Sequence, residues 1–132
     1  MNLLDTNVCV ELLRGRSPRV LARVRTADID DLAISSITAA ELFAGALKSS
    51  RAEENVAAVG NLVSSIATLN FGSEAARFYG IVRSGLERVG QTIGPLDMLI
   101  AGHAAAVGAT LITNNTREFA RVPGLTIEDW TK

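Results

Sequence analysis

Short apolar runs that end on polar residues alternate along this chain with longer stretches in which apolar residues recur at helical spacing. The first run, Met1-Asn2-Leu3-Leu4, stops abruptly at Asp5-Thr6-Asn7, and Val8, Val10, Leu12 and Leu13 follow at once. This pattern predicts a short buried strand, then a helix capped by Thr6 or Asn7, with Asp5 delivered to the strand's carboxyl end. Arg14-Gly15-Arg16-Ser17-Pro18 interrupts the helix, and Pro18 suits the first turn of a second one anchored by Val20, Leu21 and Val24. Leu32-Ala33-Ile34-Ser35 reads as a second strand, after which Ser35 or Ser36 caps a helix through Leu47. Two longer helices are predicted at about 52–66 and 73–89, with Ala67-Thr68-Leu69-Asn70-Phe71 as a strand between them. Gly94-Pro95-Leu96-Asp97 opens a helix rich in small residues that Gly108 ends. Thr110-Leu111-Ile112-Thr113 is a fourth strand, Thr116 to Phe119 a helical turn, and Leu125-Thr126-Ile127 a last strand. Strands alternating with helices predict an α/β fold, a parallel sheet with helices on both faces.

Composition narrows the class. At 132 residues and 48% hydrophobic, the chain suits a single domain spanning 1–132 with a proper core. No apolar run is long enough to span a bilayer, and Asp5 and Glu11 break any signal-like stretch near the start, so the expectation is a cytoplasmic protein with no membrane contact. The one cysteine, Cys9, lies among apolar residues and reads as a buried small hydrophobe. Net charge is −1, yet setting four acids aside for one site leaves 13 basic side chains against 10 acidic ones. A near-neutral protein of this kind can still show a basic rim to a polyanion. Arg14, Arg16, Arg19, Arg23 and Arg25 crowd one region, where solvated helix faces are the simpler reading.

The chemistry sits where strands end. Asp5 follows the first strand, Glu41 lies just over a turn into the helix after the second, and Asp97 begins a later helix. Glu118 or the polar Asn115 stands near the exit of the fourth. Each has a plainer use as a cap, a helix-dipole acid or a surface residue. Two features favour more. Glu41 shares a helical face with Ile37, Ala44 and Gly45, and Asp97 follows Gly-Pro, a stiff approach that fixes its carboxylate. In a parallel sheet all these positions lie on one rim. Carboxylates gathered there need a cation or a proton, and oxygen donors without His or Cys favour Mg²⁺, or Mn²⁺, over zinc. Such a cluster suits phosphoryl chemistry, in which metals activate water and stabilise the leaving oxygen. Thr6 is expected to orient Asp5 through a hydroxyl hydrogen bond. His103, six residues past Asp97, lies about 120° around the helix from it and reads as a structural or surface histidine.

Four segments carry a family resemblance in order: Leu3-Leu4-Asp5-Thr6-Asn7, Ser36-Ile37-Thr38-Ala39-Ala40-Glu41-Leu42, Gly94-Pro95-Leu96-Asp97-Met98-Leu99-Ile100-Ala101, and Thr113 to Leu125 with Glu118-Phe119. The sequence resembles a PIN-domain ribonuclease, and within that family a VapC toxin of bacterial VapBC toxin–antitoxin systems. The resemblance implies a five-stranded parallel sheet, three catalytic and metal-binding acids (Asp5, Glu41 and Asp97) and a Mg²⁺-dependent endoribonuclease. It further implies a VapB-type antitoxin, a homodimer or hetero-oligomer with that antitoxin, and a structured RNA substrate, with transfer RNA the family-based expectation. The family's fourth acid commonly falls in an Asp-Phe pair. Here Glu118-Phe119 replaces it, leaving Glu118 and Asn115 as candidates for that place. A haloacid-dehalogenase-type phosphatase would need a second Asp where Asn7 stands, and a receiver domain a late catalytic Lys, whereas Lys48 and Lys132 are the only lysines. No glycine-rich dinucleotide or P-loop motif is present. The competing non-enzyme reading is a catalytically weak PIN fold that only binds RNA or an antitoxin.

Overall fold

The computed structural model describes residues 1–132. Five strands form one sheet: β1 (Asn2–Leu4), β2 (Leu32–Ser35), β3 (Ala67–Leu69), β4 (Thr110–Ile112) and β5 (Ile127–Glu128). Every pairing is parallel and the order is β3-β2-β1-β4-β5. Seven helices connect them: α1 (Thr6–Arg14), α2 (Pro18–Thr26), α3 (Ser36–Lys48), α4 (Ala52–Ser65), α5 (Ser73–Arg88), α6 (Pro95–Val107) and α7 (Thr116–Phe119). The expected parallel α/β sheet with both faces covered is therefore what forms.

Strand alternation explains the two cores. Side chains two apart share a face. Leu3, Ala33 and Leu111 point to one side, where they meet Ile100, Ala101 and Ala104 of α6, Val82 and Leu86 of α5, and Phe119. Leu4, Ile34 and Ile112 point to the other, against Val8 and Cys9 of α1, Leu42 of α3 and Val59 of α4. Burial on both faces is why the strands read as plain apolar runs. Cys9 is fully buried, and that burial pushes its thiol pKa up, as expected of an inert core residue. On α2, Arg23 pairs with Glu128 at 3.0 Å and lies over the Trp130 ring, while the other crowded arginines are exposed.

Some boundaries differ from expectation. The last strand lies two residues later than Leu125, because the Leu111 and Thr113 N–H groups donate to the Thr126 and Glu128 carbonyls. A single 3-10 turn at Ile29–Asp31, capped by Asp28, precedes β2 and has no apolar periodicity to announce it. No helix is long and apolar enough to cross a membrane.

Chain order and sheet order together place the site. From the central β1 the chain moves out to β2 and β3, then crosses back to β4 on β1's other side. The gap at the carboxyl ends of β1 and β4 is thus the switch point at which open α/β sheets bind ligands.

Candidate active site

The β1–β4 register pairs Leu4 with Ile112, so the next residues on each chain, Asp5 and Thr113, stand side by side at the rim. Continuing the β1–β2 register brings Ser35 to Asp5's other flank. By alternation these three share the face of Leu3, the one that α6 covers. The Asp5 backbone N–H donates to Ile112 at 2.8 Å, carrying the ladder one residue past the strand. Its side chain is 2% exposed.

Two donors hold that buried carboxylate. Oδ1 accepts the Thr6 backbone N–H at 2.8 Å, and Oδ2 accepts the Thr113 hydroxyl at 2.8 Å. Asp5 is therefore the cap of α1, a place expected for Thr6 or Asn7. Three consecutive capping residue types made the sequence ambiguous, and the extended backbone at Asp5 decides it. Burial raises the Asp5 pKa from its ordinary value and the Glu41 charge adds to this, while the two hydrogen bonds oppose both.

Thr6 does not orient Asp5 with its hydroxyl. It donates instead to Glu41 Oε1 at 2.8 Å, with the Thr38 hydroxyl 3.1 Å from the same Thr6 oxygen. The reason is geometric: as the first residue of α1, Thr6 faces the first turns of α3, whereas Asp5 is served from β4. Thr113, which sequence reasoning passed over as a strand residue, takes the role given to Thr6. Its hydroxyl also accepts the Asn115 backbone N–H at 2.9 Å, and it is fully buried. The only signal for it in the sequence is a polar residue closing an otherwise apolar strand just before Asn114-Asn115.

Asp97 sits in the first turn of α6, capped by Gly94 and started by Pro95. A Cβ at residue 94 would stand 3.2 Å from Asp97 Oδ2, so the approach to α6 is shaped to leave that carboxylate room. Partial burial, then the charges of Asp5, Glu118 and Glu41, raise the Asp97 pKa to about 6. That coupling puts all four candidate acids in one electrostatic neighbourhood. Glu118 is half-buried on α7 and accepts from the Asn115 side-chain amide at 3.2 Å. The two candidates for the fourth place thus stand together, Asn115 holding Glu118. Arg121 donates to the Thr92 carbonyl at 3.0 Å, tying the turn after α7 to the loop leading into α6.

No cation of the chain compensates these acids. Its ion pairs involve Asp31, Glu54, Glu74, Glu87 and Glu128, none of them at the site. An oxygen-only donor set of carboxylates with no cationic partner is the chemistry a hard divalent cation fits. No three of them are gathered tightly enough to hold an ion by themselves. The set suits a cation that takes one or two carboxylates directly and keeps water for the rest. Beside it, a cavity of about 220 Å³ runs between α1, α3 and α4, with Thr6, Glu41 and Arg14 at its polar side and Val10, Leu42 and Val59 at its apolar side.

A family model of the PIN domain matches residues 3–125. The chain belongs to the PIN-domain family, in its VapC branch. It is 42% identical over 129 residues to the tRNA(fMet)-specific endonuclease VapC of Shigella flexneri, covering 98% of this chain and 97% of that one. The VapBC complex of Salmonella typhimurium bound to DNA superposes with a TM-score of 0.91 at 40% identity, covering 98% of this chain and 97% of that one. VapBC2 of Rickettsia felis, bound to a DNA fragment from its promoter, gives 0.91 at 37% identity, covering 98% of each chain. In this PIN domain Asp5, Glu41, Asp97 and Glu118 all reach the switch-point rim. His103, by contrast, is buried and hydrogen-bonded to Ser35, with no hydrogen bond to any of the acids.

Proposed function

We propose that this PIN domain is the toxin of a type II toxin–antitoxin pair: a Mg²⁺-dependent endoribonuclease that cleaves structured RNA, with transfer RNA as the substrate class. The reading rests chiefly on one observation, the uncompensated carboxylate neighbourhood at the switch point of a PIN fold. Relatives across the full chain length that are named as tRNA endonuclease and ribonuclease support it.

In this reading Asp5 and Asp97 hold the cation directly and Glu41 holds it directly or through water, which suits an ion that keeps part of its hydration shell. The cation, Mg²⁺ with Mn²⁺ as a substitute, supplies an activated water and charge for the leaving oxygen. The chain's own residues supply geometry. Thr113 and the Thr6 N–H fix both oxygens of Asp5; the Thr6 hydroxyl, itself paired with the Thr38 hydroxyl, fixes Glu41; and Asn115 steadies Glu118 as the fourth acid. The antitoxin is VapB-like, as in the structural relatives. A cationic side chain from it, best an arginine for its fork geometry, reaches the acids to silence them. The single domain acts in the cytoplasm as a homodimer, hetero-oligomeric with antitoxin.

Cleavage of a transfer RNA pool should stop in excess chelator and return with Mg²⁺; cleavage that persists undiminished in chelator contradicts the proposal. Glu118→Gln should lower the rate by orders of magnitude and weaken metal binding, with Asn115→Ala costing less. A change of less than a few-fold at Glu118 would make it a surface acid.

A further inference from the structure

The two helices that bring Glu41 and Asp97 to the rim, α3 and α6, are joined by one side-chain hydrogen bond, between Ser35 Oγ and His103 Nδ1 at 2.8 Å. Ser35 is the last residue of β2 and the cap of α3, where its hydroxyl accepts the Ile37 N–H at 3.0 Å. His103 is on α6, six residues and about 9 Å of helix beyond Asp97. Both side chains are buried, at 0% and 2% exposure. A serine hydroxyl has one proton. Ser35 accepts from Ile37 and still has that proton to give, so we assign it to Nδ1, which satisfies both partners and leaves the imidazole's own proton on Nε2. Burial lowers the His103 pKa, which keeps this neutral form.

The same junction gathers a third element. The Phe71 ring meets the His103 ring edge-on at 5.4 Å, and the Phe71 N–H donates to Ser36 Oγ at 3.0 Å. One residue before His103, a Cβ at Gly102 would come within 2.7 Å of the Tyr79 backbone, so α6 is pressed against α5 and cannot yield on that side. The start of α3 is thereby referenced to a helix that is itself immobilised.

We propose that His103 is a positioning residue for the cleavage reaction: through Ser35 it sets where α3, and with it Thr38 and Glu41, stands relative to Asp97. This rests on the metal-dependent reading of the acids given above. The imidazole touches none of the four carboxylates and acts only through the cap of α3.

The test separates geometry from stability. His103→Phe keeps a ring against Phe71 and removes the acceptor. His103→Asn loses the ring but leaves an amide oxygen near the position of Nδ1. Ser35→Ala removes the donor from the other side. Each is measured for affinity toward Mn²⁺ alone, for melting without metal, and for kcat and KM on RNA. His103→Phe and Ser35→Ala should each weaken Mn²⁺ binding and lower kcat by about tenfold, with KM within about twofold, and the double variant should be little worse than either. His103→Asn should recover most of the affinity and of kcat while melting lower than His103→Phe, an inversion that a purely structural histidine would not give. Either variant matching the parent protein in Mn²⁺ affinity and kcat overturns the proposal. So does activity that simply follows melting temperature. Asp97→Asn run alongside tells the two readings apart. If it abolishes cleavage while His103→Phe and Ser35→Ala behave as the parent, only the role of His103 fails. If it too is silent, the metal-site reading fails first.

Discussion

The interiors of the three central strands and the row just beyond them are built to opposite rules. Leu3 and Leu4, Ala33 and Ile34, and Leu111 and Ile112 are apolar and at most 1% exposed. One residue further toward the carboxyl end, the row becomes Asp5, Ser35 and Thr113, equally buried but polar. Of the chain's other two buried polar side chains, His103 meets this row at Ser35, and Thr38 pairs with Thr6, the residue after Asp5. Burying a polar group is unfavourable unless it is hydrogen-bonded, and each of these five has a partner. The strand interiors are therefore what hold the fold, and the polar row is retained for what it positions. Nearby Asp97 is raised by burial and then by the charges of its neighbours, a conflict that an apolar replacement would relieve.

Substitutions in the strand interiors and at the rim should consequently fail in opposite ways. The largest expected effect is Asp97→Asn, which removes one charge from the neighbourhood and one ligand from the cation. Cleavage should fall by several orders of magnitude, while the metal-free protein melts as high as the parent or a few degrees higher. Relief of like-charge repulsion of about 1 kcal/mol is worth a few degrees at this chain length. A large drop in melting temperature would make Asp97 a structural cap instead.

Leu111→Ala is the mirror image. Deleting a fully buried core side chain should cost about 2–5 kcal/mol of stability, read from a denaturant titration, with kcat per folded molecule unchanged. Loss of kcat at full folding would show that strand interior and rim are not separable.

Thr113→Val tests the row itself, since it keeps shape and removes the hydroxyl. Asp5 loses a donor and the Asn115 N–H loses its acceptor. A loss of about 10–100-fold in metal affinity or kcat is expected, together with about 1–3 kcal/mol of stability. If only stability falls, Thr113 is a core residue with no bearing on the site.

The smallest effect is in pH. The carboxyl of Asp97 titrates near 6 when folded, above its ordinary value of 3.8. Between those values the folded chain holds a proton that the unfolded chain has released, so this group makes the metal-free protein more stable as pH falls through 6 toward 4. Asp97→Asn should flatten that part of a melting-versus-pH curve, and an unchanged slope would place the titration elsewhere.

Much of this contrast was legible in the residue order. Apolar runs and helical spacing located strands and helices, and acids just past strand ends located the rim. What the order could not carry were pairings made by the sheet. Thr113 meets Asp5 across 108 positions and His103 meets Ser35 across 68, through registers that no local pattern encodes. Thr6 was assigned to Asp5 because they are adjacent, yet its hydroxyl serves Glu41, 35 positions away. Asn115 and Glu118, weighed as rivals, are hydrogen-bonded to each other.

The polar row and its neighbouring acids are proposed to hold a divalent cation at the switch point. A crystal of the protein soaked in Mn²⁺, read by anomalous scattering, tests it most directly. The expected result is a single dominant peak touching Asp5 and Asp97, with Glu41 in contact or one water away. Strong peaks only elsewhere on the molecule, in crystals of protein that still cleaves RNA, would contradict it.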